Sequence, residues 1–306
     1  MKLLLPSPLK KLSDPLFKKA GIQVFAKRDD LIDSEISGNK WRKLKFNIQR
    51  AGDMPILTFG GAFSNHIAAT AATCFRLNRK SIGIIRGERT QKLNNTLQQA
   101  EDYGMHLHFI SRSDYRLKND PEFIESLHEK IGSFFLVPEG GANIYGVKGC
   151  RDIVNEIDQP FDYLVSAMGT GTTLAGMLIA SKINQQQIGI PVLKNGEFLL
   201  NDIHSMVLDY STKFNQSPPD SGFKLFTNYH HGGYARISNE LIDFMRYFNQ
   251  QHGIKTDPVY SGKSAFALYD LVKKFFFTRG STVIWLHCGG LQGIEGIEKR
   301  YNLKVF

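Results

Sequence analysis

The chain reads as an α/β protein of two domains, with mainly parallel sheets covered by helices. Three observations predict this class. Short apolar runs alternate with longer amphipathic segments through most of the 306 residues. Glycine-rich turns follow several of the strand-like runs, at Gly60-Gly61, Gly140-Gly141, Gly169-Thr-Gly171 and Gly289-Gly290. No repeat or low-complexity linker breaks the pattern, and the length suffices for one large domain or two moderate ones.

Taken in order, residues 56–59 predict a strand and 67–75 a helix. Strand 81–85 and helix 95–103 follow, then strand 107–110, helix 122–131 and strand 134–137. A helix is expected over 147–157, a strand over 163–167 and a helix over 173–181. Helix 199–214, strand 224–227, helices 241–252 and 263–276, and strand 282–287 complete the alternation. Residues 185–195, with Pro218-Pro219, read as surface connections. In open parallel sheets ligands bind at the carboxyl ends of strands, so the four glycine turns predict one cleft built from distant segments.

Composition limits the functional classes. Hydrophobic content of 42% and charged content of 22% are those of an ordinary globular enzyme. The net charge of +9 raises nucleic acid as a partner, but Lys and Arg are scattered and no nucleic-acid motif is present. A diffuse basic surface suits an anionic cofactor or substrate instead. Cys74, Cys150 and Cys288 show no C-x-x-C spacing and read as buried thiols of a reducing compartment. No stretch has the length of a signal core or of a membrane span, so a cytoplasmic protein without a membrane partner is expected, and no H-E-x-x-H or Cys/His ligand set points to a metal.

The most informative stretch is Ser37-Gly-Asn-Lys40-Trp-Arg-Lys43-Leu44. Ser37 or Asn39 would cap a helix here, and Trp41, Leu44 and Ile48 recur at helical spacing. Lys40 and Lys43 then share a face. Two ammonium groups there repel, so the arrangement calls for an anion or a covalent role; an imine on one lysine and a phosphate facing the other would satisfy both. Gly169-Thr170-Gly171-Thr172-Thr173, between a strand and a helix, fits a monophosphate: amides and hydroxyls point at it and glycine lets it approach. It lacks the lysine of a Walker loop and the spacing of a dinucleotide fingerprint. Ser64-Asn65-His66 opens another helix, with Ser64 as its cap or as a group facing the cleft. Tyr234, in a loop with His230-His231, and Tyr260, in Asp257-Pro-Val-Tyr-Ser-Gly-Lys263, read singly as packing residues.

Together these motifs resemble the aminocyclopropane-carboxylate deaminase and D-cysteine desulfhydrase family, pyridoxal-phosphate enzymes of the tryptophan-synthase-β fold group. The resemblance runs from about Lys27 to Gly293. It rests on Lys27-Arg-Asp-Asp30, the Lys40 stretch, Ser64-Asn65-His66, Pro138-Glu-Gly-Gly141, the Gly169 loop, Asp257-Pro-Val-Tyr260 and His287-Cys-Gly-Gly-Leu-Gln292. It implies that Lys40 binds pyridoxal 5'-phosphate as an imine and removes the α-proton of the substrate. Lys43, Gly169, Thr170, Gly171, Thr172 and Thr173 would hold the phosphate, Asn65 the ring hydroxyl, and Ser261 would stand at the ring nitrogen. Ser64, His66, Tyr234 and Tyr260 would meet a small amino-acid substrate, with Ser64 and the tyrosines also catalytic. A homodimer is implied, with a smaller domain of residues 47–157 inserted into a larger one of 1–46 and 158–306.

The resemblance also bears on the substrate. The cyclopropane deaminases have a glutamate where this chain has Ser261. A neutral hydroxyl leaves the ring nitrogen unprotonated and the electron sink weaker, which suits β-elimination to a keto acid and ammonia, with hydrogen sulfide from cysteine. The reading is therefore desulfhydrase-like, with cyclopropane opening to 2-oxobutyrate as the alternative. Ile67-Ala68 and the His230-His231 loop depart from the family pattern. A decayed ligand-binding protein would lack Lys40 or the phosphate loop, and a nicotinamide-dependent oxidoreductase would carry a complete G-x-G-x-x-G.

Overall fold

The structure is a computed structural model that describes residues 1–36 and 38–306. Its ten strands are β1 (Leu9–Leu12), β2 (Gln23–Lys27), β3 (Ile56–Gly60), β4 (Ser81–Arg86), β5 (Met105–Ile110), β6 (Phe135–Val137), β7 (Tyr163–Met168), β8 (Gln186–Pro191), β9 (Phe223–Leu225) and β10 (Thr282–Leu286). They form a six-stranded sheet, β1-β2-β10-β7-β8-β9, and a four-stranded sheet, β5-β4-β3-β6. Among the described residues, only the β1–β2 pair is antiparallel.

Both sheets are covered on two faces, as parallel sheets must be. In β10, Val283 and Trp285 pack with Ala265, Leu268 and Phe248 on one side. Ile284 and Leu286 pack with Leu174, Ile203 and Val147 on the other. The alternation follows from the two-residue side-chain period of a strand. In the smaller sheet Ile56 faces Leu44 and Ala69, while Leu57 faces Ile82 and Leu127.

Most expected elements are present within a few residues of their expected ends. Three differ. Residues 185–195 are not a surface connection: they contain β8, paired along its length with β7 and over Gln187–Gly189 with β9, and buried from Gln187 to Pro191. Its glutamines, Gly189 and terminal proline carry turn chemistry, and only tertiary packing makes them a strand. The expected 147–157 helix is two helices, Ile144–Cys150 and Asp152–Asn155, meeting at Arg151. Strands β1 and β2 and the helix Ile294–Tyr301 extend the fold beyond the elements read from the pattern.

The Asn39–Ala51 helix packs closely on Ile144–Cys150. A β-carbon on Gly149 would stand 1.8 Å from the Arg42 carbonyl oxygen, so no larger residue permits this approach. The start of the Asn39–Ala51 helix lies beside the turns after β10 and β6, with Gly38 against Cys288 and Lys43 against Gly141. Among the described residues, no helix is long and apolar enough to cross a membrane.

Candidate active site

The four glycine turns converge, as expected. A β-carbon on Gly141 would stand 2.9 Å from Lys43 Cβ and 3.5 Å from His66 Cε1; one on Gly140, 3.1 Å from Thr170 Cγ2; one on Gly290, 2.9 Å from Asn65 Nδ2; and one on Gly169, 3.3 Å from Tyr260 Cε1. Turns after β3, β6, β7 and β10 thus line one cleft between the sheets. A separate surface groove of about 480 Å³, lined by Asp162, Tyr163, Thr278 and Arg279, lies at the opposite strand ends.

The cleft floor is the start of the Asn39–Ala51 helix. Gly38 takes the cap position with φ 70°, and a β-carbon there would lie 1.6 Å from the Cys288 carbonyl oxygen. Asn39 is not the cap. It is the first helical residue, and its side-chain amide donates to Thr173 Oγ1 at 2.9 Å. Ser37, the other expected cap, lies outside the described residues.

Lys40 and Lys43 do share the cleft side of this helix. Burial pushes the Lys40 amine down to about 7, and the Lys43 charge adds to the shift. Burial also lowers Lys43, whose Nζ lies 3.5 Å from Thr170 Oγ1. Thr170 and Thr172 hydroxyls are 2.9 Å apart. Thr172 and Thr173 open the Thr172–Ala180 helix, behind Gly171 at φ 77°. Among the described residues neither lysine has a carboxylate within ion-pairing distance.

Ser64 caps the Asn65–Arg76 helix, its hydroxyl accepting from the Ile67 amide at 3.3 Å. His66 is buried, and its imidazole is pushed well below its ordinary pKa, first by burial and then by the charges of Lys40 and Lys43. It is therefore a neutral ring. Both His66 nitrogens and Asn65 Oδ1 are buried without a hydrogen-bond partner among the described residues. Such atoms are costly unless a ligand satisfies them. Ile67 and Ala68, the departure from the family pattern, are buried in the packing of this helix.

Tyr260 and Tyr234 meet edge to face, ring centroids 6.1 Å apart at 73°. Burial raises the Tyr260 phenol well above its ordinary range, so it keeps its proton. Tyr234 is 48% exposed, at the mouth of the cleft. Asp257, buried, accepts from the backbone amides of Val259, Tyr260 and Ser261 and so fixes this turn. Ser261 is fully buried. Its hydroxyl donates to Asp257 Oδ1 at 2.6 Å and accepts from the Asp257 amide at 2.8 Å. The hydroxyl expected at a ring nitrogen thus spends its proton on Asp257.

Sequence reasoning assigned no role to Arg42 or Asp257. Arg42 faces away from the cleft and donates to both oxygens of Asp29, at 2.7 Å each, and to both of Glu156, at 2.9 and 2.8 Å. Lys27 Nζ donates to Glu156 at 3.0 Å and to the Ser7 carbonyl at 2.7 Å. Lys27 and Asp29, quoted above as a motif, therefore anchor the helix that carries Lys40. Asp257 had a readable signal, an Asp followed by Pro, which favours a turn closed by the Asp side chain on the amides that follow.

Residues 2–289 match the model of the pyridoxal-phosphate dependent enzyme family. The chain belongs to that family. A Pyrococcus furiosus protein provisionally named 1-aminocyclopropane-1-carboxylate deaminase is 30% identical, over 90% of this chain and 87% of its own. A bifunctional D-cysteine desulfhydrase/1-aminocyclopropane-1-carboxylate deaminase of Arabidopsis thaliana is 28% identical, over 95% of this chain and 77% of its own. The crystal structure of a homologue of 1-aminocyclopropane-1-carboxylate deaminase superposes with a TM-score of 0.84 at 26% identity, covering 98% of this chain and 95% of that one. The protein is a pyridoxal-phosphate-dependent enzyme. The cleft fits that cofactor: two lysines without acid partners among the described residues, threonine hydroxyls at a helix start, and orphaned polar atoms on Asn65 and His66.

Proposed function

We propose that this enzyme deaminates a small amino acid by β-elimination, with D-cysteine as the model substrate. The products are then pyruvate, ammonia and hydrogen sulfide. The observation that carries the reading is Lys40, in the cleft beside Lys43, whose amine is lowered to about 7 by burial and by the Lys43 charge and can so give up its proton near neutral pH. Lys40 would hold the cofactor and take the Cα proton of the substrate. Lys43, Gly169, Thr170, Gly171, Thr172 and Thr173 bind the phosphate, with Thr173 braced by Asn39. Asn65 orients the ring through its hydroxyl. Ser64, His66, Tyr234 and Tyr260 surround the substrate, and the neutral His66 and protonated Tyr260 donate without adding charge. When bound, pyridoxal phosphate supplies the electron sink for the pair left on Cα.

Ser261 supports elimination over ring opening. Its proton is given to Asp257, so it offers no carboxylate and no donor to the ring nitrogen. Cyclopropane opening is the second reading, favoured by the names of the relatives, one of which carries both activities. Keto-acid release from purified holoenzyme separates the two. Pyruvate from D-cysteine supports elimination; 2-oxobutyrate from 1-aminocyclopropane-1-carboxylate with no pyruvate overturns it.

The same proposal includes a homodimer in the cytoplasm and a smaller unit of residues 47–157 inserted between 1–46 and 158–306. The division is supported by the four-stranded sheet, whose strands all fall within Ile56–Val137.

A further inference from the structure

Lys263 has no part in the chemistry above, yet it is fully buried. It sits in the first turn of the Ser261–Lys273 helix and has no ion pair with any described carboxylate. Its Nζ donates instead to two backbone carbonyls of a distant loop, His230 at 2.7 Å and Gly233 at 2.8 Å. An ammonium is expensive to bury, and an apolar side chain of equal length would pack there at lower cost. What lysine alone supplies is donors for carbonyls that turn inward.

The loop that it holds is an unusual one. His231, Gly232, Gly233 and Ala235 all have positive φ, at 48°, 91°, 115° and 52°. Non-glycine residues keep such angles only where their surroundings enforce them. The same helix supplies a second hold: Phe266, one turn after Lys263, meets the His231 ring edge to face at 4.8 Å. The residue after Gly233 is Tyr234. Its partner Tyr260 immediately precedes the helix and is fixed by Asp257. One heptapeptide, Asp257–Lys263, therefore anchors both tyrosines.

We infer that Lys263 is a positioning residue, which by clamping the His230–Gly233 loop to the Ser261–Lys273 helix holds Tyr234 against Tyr260 over the substrate. The inference rests on the reading that Tyr234 meets substrate, and the two can fail separately.

The test uses holoenzyme reconstituted with pyridoxal phosphate, assayed with D-cysteine, or with 1-aminocyclopropane-1-carboxylate where D-cysteine is not turned over. Lys263→Met keeps cofactor absorbance and affinity, raises amide hydrogen exchange in residues 230–236, and lowers kcat/KM by about tenfold. Tyr234→Phe lowers kcat/KM as well, and the double variant falls no further than the lower single one. Lys263→Arg, which keeps donors, lies between wild type and Lys263→Met, and it replaces the latter if that variant does not fold. Independent losses that multiply in the double variant overturn the inference, as does unchanged exchange in the loop or cofactor loss that accounts for the fall. Wild-type turnover in Tyr234→Phe instead overturns the reading of Tyr234, and the inference with it.

Discussion

The Asn39–Ala51 helix has two charged sides that differ in one respect. On one, Arg42 meets Asp29 and Glu156 in a buried network whose donors and acceptors are matched, with Lys27 and Ser7 filling the remaining positions. On the other, Lys40, Lys43, His66 and Asn65 gather buried cationic and polar groups that, among the described residues, have no ion-paired acid and few hydrogen-bond partners. Both arrangements cost desolvation. Folding repays the first. The second leaves buried polar atoms on Asn65 and His66 unpartnered among the described residues, and the proposed function fills it with an anion at Lys43, a carbonyl carbon at Lys40 and hydrogen-bonding atoms at Asn65 and His66. A satisfied buried cluster thus marks scaffold, and an unsatisfied one marks a site.

The largest effect that tests this contrast is on the incomplete side. Lys40→Ala should abolish covalent cofactor attachment, with loss of visible absorbance and a fall in kcat of about a thousandfold or more. Because the Lys40 amine is depressed to about 7, cofactor uptake by apoenzyme should speed up with rising pH and level off above about 7; a rise continuing toward 10 would contradict the depressed amine. Arg42→Met should leave buried Asp29 with the Ser7 hydroxyl and no cation, and Glu156 with Lys27 and the Ser7 amide, costing about 3–5 kcal/mol in denaturant unfolding of the apoprotein. Stability lost from Lys43→Met rather than from Arg42→Met would break the comparison.

Smaller effects sharpen it. Lys43→Met should weaken binding of pyridoxal phosphate by about ten- to a hundredfold, the worth of a hydrogen bond to a charged group, while unfolding of the apoprotein stays near wild type. Burial would raise the Glu156 carboxyl, but its bonds to Arg42 and Lys27 hold it at about 2, below its ordinary 4.5. A depressed carboxyl stabilises the fold above the unfolded value and loses that contribution as pH falls from about 4.5 through 2. Acid unfolding of Glu156→Gln should therefore be less steep in that window. Ser261→Ala should cost about 1–2 kcal/mol through its lost bonds to Asp257, with the cofactor spectrum almost unchanged. A large spectral shift would instead mean that the hydroxyl reaches the ring.

Much of the site was legible in the chain because local chemistry specified it. Gly169 to Thr173 and Ser64 to His66 show strand-to-helix turns with the residues that turns and helix starts demand. Lys40 and Lys43 share a face because helical spacing requires it. The failures have physical causes too. Strand β8 is built from turn-like residues and becomes a strand through pairing on both edges. Asn39 is a good cap by type, yet Gly38 takes that position because the Cys288 carbonyl leaves no room for a side chain. Ser261 was read as facing a ring nitrogen, and only its distance to Asp257 revealed where its proton goes.

The sequence by itself determined the fold class and the segments of the cleft, and its resemblance to a known family implied the cofactor. These depend on residue type, spacing and order along the chain. Tertiary structure alone decided which charges are satisfied and which are not. Arg42 and Lys43 are neighbours in sequence and alike in charge, yet one is locked in a network and the other awaits an anion. Their partners, Asp29, Glu156 and Thr170, come from distant elements, and the energy of a buried charge depends on what surrounds it in space.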